Sequence, residues 1–246
     1  MDFFDLFNIS ETYMELLNPT SPEKIIRLGK FLRLSKGSRV IDFGCGFAEP
    51  LVLWAEEFGI SGIGIDVRPH ACERARKKIA AKRLADRIEI VCSRGADHVF
   101  EEGTFDAATC IGATFVFGSY RQTIQAMKRA IKKEGRLGIG ETYWLSSNVA
   151  PEYAQKETST HPEHELLRIT REESFEVEYV VRASQDDWDR YEADNWHGLV
   201  RWLEENHDHP ERRQVIERLR TSQDEYFRFE REYLGWAMYA LAPGVD

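Results

Sequence analysis

The segment Arg39-Val40-Ile41-Asp42-Phe43-Gly44-Cys45-Gly46-Phe47-Ala48-Glu49-Pro50 constrains the fold of this chain more than any other. A β-branched apolar run ends in an acid, a tight Gly-x-Gly turn follows, and the apolar-periodic stretch Leu51 to Phe58 reads as a helix. Gly44 and Gly46 let the backbone turn sharply and approach a ligand closely, because no Cβ stands in the way. Such a strand–loop–helix unit is where a parallel α/β sheet holds a nucleotide-like cofactor.

Spacing separates two cofactor classes that use this kind of loop. A dinucleotide fingerprint wants a third Gly or Ala five residues after the first, so that the helix packs closely on the strand. That position is Glu49, a long charged side chain, which disfavours a nicotinamide-dependent oxidoreductase. The pattern Asp42-x-Gly44-x-Gly46 instead resembles motif I of class I S-adenosylmethionine-dependent methyltransferases, with Ala48 at the usual third small position. The resemblance implies S-adenosyl-L-methionine as cofactor. It places Asp42 near the amino end of the methionine portion and the Gly44-Cys45-Gly46 turn beneath it.

Ser61 to Val67 reads as a short apolar strand ending in Asp66, after which Pro69 starts a basic helix to about Arg83. Asp66 lies 22 residues after Gly44, close to the offset of ~20 at which an acid reaches ribose hydroxyls in such folds. A carboxylate accepts from two vicinal hydroxyls at once. Capping of the following helix is the structural alternative. Beside motif I, the ribose role for Asp66, with Val67 next to it, is the better reading.

Further strands follow at Arg87 to Cys92, Phe105 to Ile111 and Arg136 to Glu141. An amphipathic helix over Ser119 to Lys133 lies between the last two and is stopped by Gly135. Phe175 to Val181 and Tyr233 to Leu241 complete the set. Alternating strands and helices of this length imply a doubly wound, Rossmann-like α/β fold with helices on both faces. The resemblance makes it a seven-stranded, mostly parallel sheet with an antiparallel last strand, and it places Ile111 and Gly112 against the methionine portion. Where many relatives carry Gly-Asp for the adenine, this chain has Ser93-Arg94-Gly95-Ala96-Asp97. Either Asp97 shifts into that role, or the adenine meets backbone and apolar groups around Gly95 and Ala96.

The chain reads as one methyltransferase domain over residues 1–246. Residues 1–37 form an N-terminal helical cover, 38–145 the cofactor half, and 146–246 a substrate-side half with a helical insert at about 186–230. In the cover, Asp2 to Leu17 and a second helix starting at Pro22 lie either across the cofactor mouth or along the sheet edge. In the insert, Trp188, Tyr191, Asn195, Leu199 and Trp202 share one helix face by their spacing. That stripe serves as core packing or as a dry lid. Glu141, at the end of a strand, is the candidate base or substrate anchor. Its alternative role is to tie down the N-terminal helix. Tyr13, Tyr143 and Trp144 are candidate pocket walls.

The net charge of −9 argues against nucleic acid, which needs a basic face. Cys45, Cys72, Cys92 and Cys110 show no paired spacing and read as reduced thiols of an intracellular protein. The acidic start resembles no signal peptide and no apolar run reaches membrane length, so a cytoplasmic enzyme without a membrane partner is expected. His161-Pro162-Glu163-His164 and His207-Asp208-His209 lie in polar loops without helical ligand spacing, and no metal is expected. The leading reading is methyl transfer to a small-molecule acceptor. A binding protein of the same fold that performs no chemistry is the second. Neither the acceptor nor an oligomeric state follows from the residues.

Overall fold

The computed structural model describes Met1 and residues 3–244. Its strands are β1 (Arg39–Phe43), β2 (Ser61–Asp66), β3 (Ile88–Cys92), β4 (Phe105–Ile111), β5 (Ile131–Trp144), β6 (His161–Pro162), β7 (Phe175–Arg182) and β8 (Leu234–Pro243). They form one sheet in the order β3-β2-β1-β4-β5-β8-β7, with the two-residue β6 pairing β5 off that path. β1 to β5 pair in parallel, and β8 runs antiparallel to both β5 and β7. The doubly wound sheet with an antiparallel last strand is therefore as expected, and β6 is an addition to it.

Helices cover both faces. They are α1 (Phe3–Ser10), α2 (Pro22–Phe31), α3 (Glu49–Phe58), α4 (Pro69–Ala81), α5 (Tyr120–Ala130), α6 (Pro151–Ala154), α7 (Glu163–Glu172), α8 (Gln185–Glu205), α9 (Arg212–Glu225) and α10 (Arg231–Tyr233). Ile25, Leu28 and Trp54 of α2 and α3 are buried on one face, while Ile124, Met127, Leu166 and Ile169 of α5 and α7 are buried on the other. This two-sided burial leaves the parallel strands β1 and β4 almost fully buried. The strand order reverses between β1 and β4, and a crevice opens beyond their carboxyl ends.

Two expected helices are shorter in the fold. The first ends at Ser10, and residues 11–20 run on as an irregular strap. Arg74 of α4 explains the break: its guanidinium donates to the carbonyls of Glu11 (3.0 Å), Thr12 (2.9 Å) and Met14, which a continuing helix would use internally. The other is the last helix of the insert, expected to run to about residue 230, which gives way after Glu225 to a π-helical turn, Tyr226–Glu230. There Tyr226 is buried and Phe229 stacks on Tyr153 at 4.8 Å between ring centroids. α8 starts at a capping box made by Ser184 and Asp187. Its Gly198 admits the end of α1, since a Cβ there would lie 2.3 Å from the Ser10 carbonyl oxygen. That close approach seats the N-terminal cover on the insert.

Candidate functional site

The loop after β1 is pinned at the switch point. The Gly44 and Cys45 amides donate to the Ile65 carbonyl of β2 at 2.8 and 3.0 Å. Gly44 (φ +72°) and Gly46 (φ +54°) adopt the left-handed region that glycine tolerates best. The same turn leaves no room for side chains: a Cβ on Gly44 would lie 2.4 Å from Ala113 Cβ, and one on Gly46 would lie 2.7 Å from Leu17 Cδ1.

Asp66 closes the end of β2. One carboxylate oxygen accepts from the Gly46 amide (2.9 Å); the other accepts from the Arg68 amide (2.9 Å) and Arg68 Nε (3.4 Å). Arg68 Nη1 in turn donates to Glu11 Oε2 of the strap at 2.7 Å. Burial raises the Glu11 carboxyl above its ordinary value, with Arg68 opposing the shift. Asp42 is fully buried on β1 and accepts from the Thr109 hydroxyl at 2.6 Å. Burial pushes its carboxyl up to about 7; the Thr109 hydrogen bond opposes this and the nearby Asp66 charge adds to it.

These groups border a cavity of about 700 Å³ that the N-terminal strap roofs. Its floor includes Asp42, Gly44, Cys45, Gly46, Asp66 and Val67, with Gly95, Ile111 and Gly112 at the sides. Ala96 stands outside, exposed on the short turn Gly95–Asp97. Asp97 also stands outside, with an exposed side chain paired to Arg94 at 3.3 Å, so Arg94 and Gly95 border the cavity at the point where an adenine acid was sought. Burial raises the Cys45 thiol well above its usual range, so it stays protonated.

The expected pocket walls separate into two groups. Tyr191 of α8 faces the cavity. Tyr13 is exposed beside His197, with ring centroids 5.1 Å apart. Tyr143 is buried under β8 and accepts from Arg182 at 2.8 Å. Trp144 meets Tyr153 edge-on at 5.8 Å, and Trp188 is part of the core. Glu141 also lies away from the cavity lining. Its carboxylate accepts from the Thr114 hydroxyl (2.6 Å) and the Thr142 amide (2.9 Å), so it anchors the turn after β4 and not the N-terminal helix. The polar loop expected around His161 to His164 is instead β6 running into α7, where Glu163 accepts from Arg182 (2.7 Å) and Tyr239 (2.9 Å). Among the described residues, no group of three or more His, Cys, Asp or Glu is arranged around a metal position.

Sequence reasoning passed over Glu11, Asn18, Thr20 and Arg68. Asn18 Nδ2 donates to the Ile111 carbonyl at 3.2 Å, and a Cβ on Gly112 would lie 2.0 Å from Asn18 Oδ1. Thr20 is 1% exposed and borders the cavity, and its hydroxyl has no hydrogen-bond partner among the described residues. The Asn18-Pro19-Thr20 run carries a visible turn signal, but nothing local indicates that it folds over the glycine loop.

A cradle that any Cβ would fill, a carboxylate beyond β2 and an orphaned buried hydroxyl suit a ligand with a ribose and a polar amino-acid end. The fold and site thus define a Rossmann-like protein built around a nucleoside-type cofactor. A methyltransferase-domain family model matches residues 40–135. The uncharacterized protein YjhP of Escherichia coli (strain K12) is 33% identical over 98% of this chain and 99% of its own length. A S-adenosylmethionine-dependent methyltransferase from Thiobacillus denitrificans, solved in complex with S-adenosyl-L-homocysteine, superposes with TM-score 0.91 at 33% identity, covering 99% of this chain and 100% of that one. A second such complex, from Geobacter sulfurreducens, gives TM-score 0.91 at 34% identity over 97% of this chain and 98% of that one. The chain belongs to the S-adenosylmethionine-dependent methyltransferases, and its cofactor is S-adenosyl-L-methionine. No helix among the described residues is long and apolar enough to cross a membrane.

Proposed function

We propose that this enzyme methylates a small-molecule acceptor inside the roofed cavity. Asp66 takes the ribose hydroxyls, and Asp42 with the Gly44–Gly46 turn takes the methionine end. Val67, Gly95, Ile111 and Gly112 shape the remaining cofactor walls. The observation that carries the reading is the cavity itself: about 700 Å³, within the ~300–1,000 Å³ usual for small-ligand sites, bordered by all of these groups. The strap and α8 cover it, which favours a compact acceptor over a macromolecular surface.

Bound S-adenosylmethionine supplies a methyl group already activated on a sulfonium. The chain's own task is to align an acceptor for in-line displacement and to exclude water. The strap across the cavity and Tyr191 serve the second need. Glu141 acts in this reading as a positioning residue that fixes the Thr114 turn beside the cavity.

Calorimetric titration with S-adenosylmethionine and S-adenosylhomocysteine, on wild type and Asp66→Ala, tests the assignment. Binding by wild type that is lost or sharply weakened in the variant is expected. Equal binding by both proteins would remove Asp66 from the ribose site.

A further inference from the structure

The cavity extends past the cofactor residues toward α1, α8 and the turn after β4, where Phe4, Phe7, Leu16, Phe115 and Tyr191 border it. These walls are apolar or aromatic. The hydroxyl of Tyr191 stays protonated, because burial, with Glu192 nearby, raises it.

The cations around the cavity are already paired. Its bordering acids are Glu11, Glu15, Asp42, Glu49 and Asp66, against Arg68 and Arg94 as the bordering cations among the described residues. Arg68 is held by Glu11 at 2.7 Å and Asp66 at 3.4 Å, and Arg94 by Asp97 at 3.3 Å. Lys78, just behind the wall, bridges Glu15 at 2.6 Å and Glu49 at 2.5 Å. Arg74 lies 4.0 Å over the Phe47 ring and holds the strap carbonyls. Each of these four cations therefore has a carboxylate or carbonyl partner already, and Arg218, 5.7 Å over the Phe7 ring, does not itself border the cavity, so the surplus along the described wall is negative. An acceptor carboxylate or phosphate buried there would face that surplus with no free cation of the wall to answer it, which makes its burial unfavourable.

We infer that the acceptor is an uncharged, ring-sized apolar molecule bound between the aromatic side chains of α1, α8 and the turn after β4, and that this site rejects anions. The inference rests on the methyl-transfer reading and names the substrate class of that same cavity.

The test uses the full chain saturated with S-adenosylhomocysteine, titrated calorimetrically with 2-naphthol and with its shape-matched anion 2-naphthoate. One site per chain is expected for 2-naphthol, weakened in Tyr191→Ala. Naphthoate is expected to bind at least about tenfold more weakly, a lower bound because that ratio corresponds to only ~1.4 kcal/mol. Phe115 is 78% exposed at the rim, so Phe115→Arg can add a cation without disturbing the core. That variant should raise naphthoate affinity more than naphthol affinity. Equal or tighter naphthoate binding by the wild type overturns the inference, as does binding of neither probe to cofactor-loaded protein. Failure to bind S-adenosylhomocysteine at the outset would instead strike the underlying assignment of the cavity.

Discussion

Replacing Asp42 with Asn removes a carboxylate that is fully buried and, among the described residues, has Thr109 as its one hydrogen-bonding side chain. The carboxyl is raised from 3.8 to about 7, with desolvation the main cause. At ~1.4 kcal/mol per unit, this corresponds to about 4 kcal/mol of stability forgone once the carboxyl is ionised in both the unfolded and the folded chain. Between the two values the folded state binds more protons than the unfolded state, so wild-type stability falls as pH rises and then levels off above about 7. Roughly 2.5 kcal/mol of that fall lies between about pH 5 and pH 8. Asn has no such titration. It retains an oxygen for Thr109 and adds an amide NH₂ whose desolvation costs about 1–3 kcal/mol at every pH. Asp42→Asn should therefore gain about 2.5 kcal/mol on wild type from pH 5 to pH 8 in urea titrations at constant m, whatever its starting offset. Cofactor affinity should fall in the same variant, because a carboxylate this costly to the fold suits a cationic ligand group. A pH-independent stability difference would refute the reasoning and make Asp42 an ordinary ionised acid in the folded chain.

Arg68→Met leaves Glu11 buried without its partner. It should destabilise the strap by up to ~3–5 kcal/mol, which limited proteolysis would show as new cleavage within residues 11–18. Unchanged protection of that segment would mean that Arg74 alone secures it. Gly112→Ala places a methyl group against Asn18 at a residue with φ +73°, so displacement of the strap and weaker S-adenosylhomocysteine binding are expected by calorimetry. Wild-type affinity there would show that the strap moves without consequence for the cofactor.

The residues around Asp42, Gly44, Gly46 and Asp66 pointed to a nucleotide-like site because each requirement is local, and their resemblance to motif I gave the cofactor class. A left-handed turn wants glycine, a parallel strand wants β-branched residues, and an acid ends the next strand at a fixed offset. The alternation of strands and helices fixed the layers for the same reason, while the reversed last strand was expected only from the family resemblance. Element ends were less legible. α1 stops at Ser10 because Arg74, more than sixty residues later, takes the carbonyls that a longer helix would need.

The acceptor side depended on tertiary structure almost entirely. Tyr13, Tyr143, Trp144, Trp188 and Tyr191 are similar as letters, and the helical stripe gives Trp188 and Tyr191 a side but not a neighbour. Only Tyr191 comes to border the cavity, since Gly198 lets the end of α1 press against α8 and brings the strap across the glycine turn. Glu141 has the right chemistry for a base and the right place at a strand end, but Thr114 and Thr142 take its carboxylate. The arrangement of charges was likewise invisible in the sequence. The net charge of −9 is a sum, whereas the pairing of Arg68 with Glu11 and of Lys78 with Glu15 and Glu49 joins segments far apart in the chain. Composition sets how many charges a protein carries; which of them meet, and so what its cavity will admit, is settled by distances that exist only after folding.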